Sequence, residues 1–182
     1  MEKVATTTGG QPLQSAQLES PPIHIPDGKG GAYKTELAIE RTPDKTVKIL
    51  WWHSDDPRPE PHNHPWPFKS EILSGGYSET RYWVEETAEE THFPHAGRVV
   101  KTETKTYRAG DINDMPANVF HVVHDVQPKT VTRLTCGKAA PNNEWGYLDT
   151  QTGVYISARD PKFADNEFLD KLRAINPHMR PK

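Results

Sequence analysis

From Tyr33 onward the chain reads as short runs rich in β-branched and aromatic residues, each closed by a turn signal. The runs are Tyr33 to Glu40, Thr46 to His53, Ser70 to Leu73, Tyr77 to Glu85, Val99 to Thr106, Val119 to Val126 and Thr130 to Cys136. Pro43-Asp44-Lys45, Ser74-Gly75-Gly76, Ala109-Gly110-Asp111 and Gln127-Pro128-Lys129 punctuate them. Strands at this spacing, with no helical period between them, predict a sandwich or barrel. In Tyr77 to Trp83 the alternation puts Tyr77, Glu79, Arg81 and Trp83 on one face and Ser78, Thr80 and Tyr82 on the other. Thr87 to Gly97, acidic and carrying His92 and His95, is expected to be a solvated hairpin loop.

Two flanks break this pattern. Residues 1–31 are rich in Gly, Pro, Ser, Thr and Gln and poor in large apolar side chains, the composition of a tail or strap. Ile23-His24-Ile25 is the one segment there that could dock as an edge strand. After the barrel, expected over 32–157, residues 158–182 form a C-terminal tail. In it Asp160-Pro161 starts and Asn176-Pro177 stops a predicted helix whose stripe is Phe163, Phe168, Leu169, Leu172 and Ile175. That stripe would be buried on the barrel or on a second subunit, so a homodimer is the expected assembly.

Composition narrows the partners. The 182 residues suffice for one hydrophobic core. A net charge of −3 with scattered Lys and Arg gives no cationic face, so neither nucleic acid nor a membrane is an expected partner. A small molecule is. No apolar leader or spanning stretch stands out, and a cytoplasmic location is expected. The single cysteine, Cys136, reads as a buried small side chain.

The chemistry concentrates in Glu60-Pro61-His62-Asn63-His64-Pro65-Trp66. Imidazoles at i and i+2 on an extended segment point the same way and can grip one ion. A third ligand should come from a neighbouring strand. The stretch from Gly110 offers one, because a Gly110-Asp111 turn leads into a strand, Pro116 bends the chain, and His121 lies on the next strand.

These two stretches resemble the motifs of the cupin superfamily. His62, His64 and Gly76 match the first, a His-x-His pair followed by a carboxylate and a glycine. Gly110, Asp111, Pro116 and His121 match the second. The resemblance spans roughly Trp51 to Tyr147, and the string His64-Pro65-Trp66 looks like a group of small single-domain cupins. It implies an all-β, double-stranded β-helix or jelly-roll barrel with a metal held by His62, His64 and His121 in its mouth. One departure is that the position of the family's metal-binding glutamate falls on Lys69, with Glu71 the nearby carboxylate. Three neutral imidazoles would then leave the ion its double charge and open positions. That arrangement resembles cysteine dioxygenase and related three-histidine iron enzymes.

The expected cofactor is therefore one divalent ion, Fe(II) first, with Mn, Ni or Zn as alternatives. The expected activity is that of a non-haem iron dioxygenase acting on a small anionic substrate. A metal-dependent isomerase, dehydratase or lyase and a non-catalytic small-molecule-binding cupin are the competing readings. Glu71, Lys69 and Tyr77 are the candidate proton carriers. Glu71 and Lys69 alternate onto the same strand face, and Glu71 is expected within reach of the open coordination positions. Arg81 and Arg133 are candidates to fix a second anionic group, with surface ion pairing as their alternative. Trp66, beside the ligand pair, should help exclude water. His124, an odd number of residues from His121, should face away.

Overall fold

The computed structural model describes residues 21–57, 61–86, 95–117, 119–139, 145–151 and 153–157. Eleven strands follow one another: β1 (Ile23–Pro26), β2 (Ala32–Arg41), β3 (Thr46–Trp52), β4 (Phe68–Ser74), β5 (Gly76–Glu86), β6 (His95–Arg108), β7 (Ile112–Met115), β8 (Phe120–His124), β9 (Val131–Cys136), β10 (Gly146–Leu148) and β11 (Val154–Ser157). They form two antiparallel sheets, ordered β1-β2-β3-β9-β4-β7 and β10-β11-β6-β5-β8. From β4 onward the chain changes sheet at five of its seven connections, and the fold is the all-β jelly roll.

Side-chain alternation shows which faces meet. On β4, Phe68, Ser70 and Ile72 are buried while Lys69 and Leu73 are exposed. On β5, Tyr77 and Glu79 point inward toward Val123 and His121 of β8, because Glu79 pairs with Val123 and Arg81 with His121. Two apolar clusters close the interior. One contains Phe68, Met115, Val119 and Cys136 with Trp66, Trp83 and Leu134 packed against it. The other contains Ile72, Tyr77, Tyr107 and Val123 with Trp52 and Val126.

The turns are built where expected. Gly75 joins β4 to β5 with φ 67, and a Cβ there would run into Thr130. Gly110 has φ 94, and the next residue, Asp111, accepts the Arg108 amide at 2.8 Å. Ile23–Pro26 docks on β2 as the edge strand of its sheet.

Three expectations need restating. His95 is not in a loop, since it opens β6 and pairs with Tyr155. Strands β10 and β11, not foreseen, extend the second sheet. The C-terminal helix and residues 87–94 lie outside the described residues. Among the described residues, no helix is long and apolar enough to cross a membrane.

Candidate metal centre

The segment carrying the histidine pair is held from both sides. His62 forms antiparallel bridges to His121 of β8 and to Tyr147 of β10. The His62 amide donates to the His121 carbonyl at 3.0 Å, and the His121 amide donates back at 2.8 Å. The neighbouring residues complete the stitching, because the Asn63 amide donates to Gly146 and the Leu148 amide to Pro61. Asn63, buried and pointing the other way from the histidines, accepts the Gly146 amide on Oδ1 at 2.8 Å.

This pairing brings the three imidazoles together. Their ring centroids lie 5.1 Å apart for His62 and His64, 4.7 Å for His62 and His121, and 5.2 Å for His64 and His121. One nitrogen from each falls within 4.8 Å of the others. Bonds of about 2.1 Å to one ion would draw these nitrogens to roughly 3.0–3.5 Å apart, which small side-chain rotations supply. His62 and His121 are buried, and His64 is half-buried. Phe68 packs edge-on to His64 at 5.3 Å, and Trp66 lies 5.8 Å from the same ring.

The donor set fits a divalent metal. His121 Nε2 is buried with no hydrogen-bond partner, a costly arrangement for a polar atom unless something binds it. Its other nitrogen, Nδ1, is 3.0 Å from Oε2 of Glu79. Glu79 is 1% exposed. Burial opposes its ionisation, but hydrogen bonds from His121, Arg81 and Asn113 hold its carboxyl at about 2. A carboxylate behind a histidine fixes the tautomer, so Nδ1 carries the proton and Nε2 is left as the ligand.

Glu79 is the functional residue that sequence reasoning left unassigned. It sits on the far side of the His121 ring from Nε2, in hydrogen-bond contact with Nδ1. The Arg81 Nε donates to its Oε1 at 2.7 Å, and Asn113 Nδ2 donates to its Oε2 at 2.9 Å. Asn113 also donates to the Tyr77 hydroxyl at 2.9 Å. Arg81 Nη2 also faces Asn113 Oδ1, the Tyr107 hydroxyl and the Asp114 carbonyl. The alternation of β5 already put Glu79 on the face of Tyr77; the missing information was its register against His121.

The other sequence candidates separate by sheet face. Glu71 is a correction: it lies on the outer face of β4, gripped by Arg133 Nη2 at 2.7 Å to each oxygen. Lys69 shares that outer face, with its ammonium 3.4 Å from Asp114. Inward-facing Phe68, Ser70 and Ile72 leave 69 and 71 outward, so neither reaches the centre and they do not pair with each other. Arg133 is likewise an exterior ion-pair partner. Arg81 braces Glu79 and lines a separate cleft with Glu103, Lys105 and Asp114. His124 faces away, with Nε2 on Thr80 and Nδ1 on Asp125.

Tyr77 and Trp66 do line the cavity that the histidines face, which measures about 120 Å³. That is room for a small molecule and not merely a water or two. Burial, reinforced by the Glu79 charge, pushes the Tyr77 phenol well above its ordinary value. Cys136 also lines the cavity, and burial pushes its thiol up to about 11. It is a small apolar wall residue.

No family model matches the sequence, and no curated protein matches it. Among solved structures the chain is similar to KdgF from Halomonas sp., at 14% identity over 58% of this chain and 80% of that one, with a TM-score of 0.40. It is also similar to an RmlC-like cupin from Shewanella frigidimarina, at 17% identity over 72% of this chain and 95% of that one, TM-score 0.41. A third likeness is to Fe(II)-HppE with an alternative substrate, at 12% identity over 71% and 60% of the two chains, TM-score 0.46. The candidate metal site stands on this chain's own three histidines.

Proposed function

We propose that the protein is a mononuclear non-haem iron dioxygenase that acts on a small anionic substrate inside the barrel. The observation that carries this reading is the composition of the donor set. Three imidazoles converge, while Glu79, the carboxylate in contact with them, is committed behind His121. An ion held by neutral ligands keeps its double charge, and three ligands leave positions open for an anion and for oxygen. When bound, Fe(II) would supply oxygen activation and a point of attachment for an acid group.

The chain's own residues supply the rest. Phe68 and Trp66 crowd His64 and exclude water on that side. Tyr77, held protonated, offers a hydroxyl at the cavity wall as a hydrogen-bond donor or proton source, and not as a base. The same hydroxyl favours a second reading, a metal-dependent isomerase, dehydratase or lyase in which the ion polarises a carbonyl and Tyr77 delivers a proton.

Anaerobic reconstitution decides between the two. The expected result is oxygen uptake with Fe(II) in the presence of a small-acid substrate and none with Zn(II). Turnover sustained by Zn(II) would overturn the dioxygenase reading in favour of the second.

A further inference from the structure

The wall of the cavity carries a second polar group that the metal centre does not use. Lys34, Glu36 and Lys48 all line it. Register puts them on the inner face, because Lys34 pairs with Trp52, Glu36 with Leu50 and Ala38 with Lys48. In a barrel interior these are positions for apolar side chains. Instead one carboxylate serves two ammonium groups: Glu36 Oε1 lies 3.1 Å from Lys34 and Oε2 lies 2.7 Å from Lys48. Their side chains are only 12–16% exposed.

Charges so placed cost more in desolvation than an apolar wall would, and they are weak contributors to stability. Each ammonium also has three donors, more than a shared carboxylate can satisfy. Lys34 rests over the Trp52 ring at 4.9 Å. Burial works against its charge, but Tyr33, Glu36 and half-buried Asp56 hold the ammonium above its ordinary value. Lys48 has Glu36 as its polar partner among the described residues. Lys34 therefore stays cationic beside the Glu36–Lys48 pair, inside a cavity that a divalent ion would make more positive still.

We propose that Lys34 and Lys48 form an anion subsite that receives a second acid group of the substrate, with Glu36 holding the place of that group when the cavity is empty. The inference rests on the reading of the three histidines as the point where a first acid group chelates the metal. Lys48 faces the cavity from β3, and β9 separates that strand from β4, whose Phe68 touches His64. Two strand spacings set those backbones on the order of 10 Å apart, a span suited to a molecule with an acid group at each end. The substrate class is accordingly a small diacid, with a chelating 2-hydroxy or 2-oxo acid at one end and a carboxylate or phosphate a few bonds away.

The full-length protein loaded with Co(II) tests this without relying on activity. Malate, 2-hydroxyglutarate and 3-phosphoglycerate are compared with 2-hydroxybutyrate, which chelates but has no distal acid. Calorimetry gives affinity and the Co(II) absorption spectrum reports chelation. At least one diacid is expected to bind about tenfold or more tighter than 2-hydroxybutyrate. Lys48→Met should remove that advantage while leaving 2-hydroxybutyrate binding and Co(II) content unchanged, and Lys48→Arg should retain it. Glu36→Gln should increase the advantage, an outcome that a purely structural ion cluster does not give. The relative gains of the carboxylates and 3-phosphoglycerate identify the distal group. Equal affinities across the four acids, or an advantage that survives both Lys48→Met and Lys34→Met, would overturn the subsite while leaving the chelation reading intact. Absence of any spectral change with all four acids would overturn the chelation reading and the subsite with it.

Discussion

Glu79 and Glu36 are both carboxylates buried on inner barrel faces, both held at about 2, yet they are held in different ways. Glu79 is fixed by directional donors, an imidazole, a guanidinium and an amide, each itself anchored by further hydrogen bonds. Burial opposes the ionisation of Glu36 too, and two flexible lysines overcome it. The first arrangement specifies an orientation, and the second specifies only a charge. A ligand histidine needs the former, because a metal is sensitive to the direction of its donor lone pair. A place that a substrate must enter and leave needs the latter, since an ammonium can exchange one anion for another without moving the backbone.

The sharpest break of this contrast is at the metal itself. His62→Ala, His64→Ala and His121→Ala should each abolish tight metal binding, whereas His124→Ala should leave metal content per chain unchanged. Full metal retention by the His121 variant would remove the third ligand from the site. Next in size is Glu79→Gln, which keeps the shape and loses the charge. Metal affinity should fall about 10- to 100-fold as His121 loses its orienting partner. Competition with a chromophoric chelator measures this, and an unchanged affinity would show that Glu79 has no hold on the centre.

Acid should then act on both buried carboxylates. Each has a folded value near 2 against an ordinary 4.5, so the unfolded chain takes up protons first as pH drops. Their stabilisation is complete above pH 4.5 and is lost as pH falls toward 2. Denaturant midpoints of metal-free protein between pH 5 and 2 should decline, and Glu36→Gln should flatten that decline. A variant with the slope of the parent would contradict the charge-held description of Glu36. The smallest effect belongs to the outer wall. Glu71→Gln and Arg133→Ala disrupt an exposed pair, and should alter neither metal content nor melting temperature measurably.

What the sequence made legible follows from the range of each interaction. The His62 and His64 pair needs only the two-residue repeat of an extended chain, and His121 needs only a turn and a strand. Both are local. The pairing of Arg81 with His121, which seats Glu79 behind its histidine, joins positions about 40 residues apart, and strand register at that range is not written in any local pattern. Position 69 and 71 illustrate a different shortfall. Alternation tells which residues share a face, and Lys69 and Glu71 do. Which face turns inward is set by Phe68 and Ile72, whose apolar side chains claim the core and leave Lys69 and Glu71 outside. On β2 the same logic fails for a physical reason. Lys34 and Glu36 face the interior against their polarity, as expected at a functional site, where local rules give way.

The double stitching of His62 has one more implication, for kinetics. Because its backbone is bonded to β8 on one side and bridged to β10 on the other, the ligand segment acts as an additional short strand filling the gap between them. Two of the three donors are thereby preorganised through the main chain, with no contribution from an ion. Loading such a site does not have to order a loop, so little of the binding energy is diverted into folding, unlike a structural zinc knuckle that is assembled by its metal. The empty barrel should keep slow amide exchange at His62 and His121, and metal ions should enter and leave on the timescale of ligand exchange without waiting for the barrel to open.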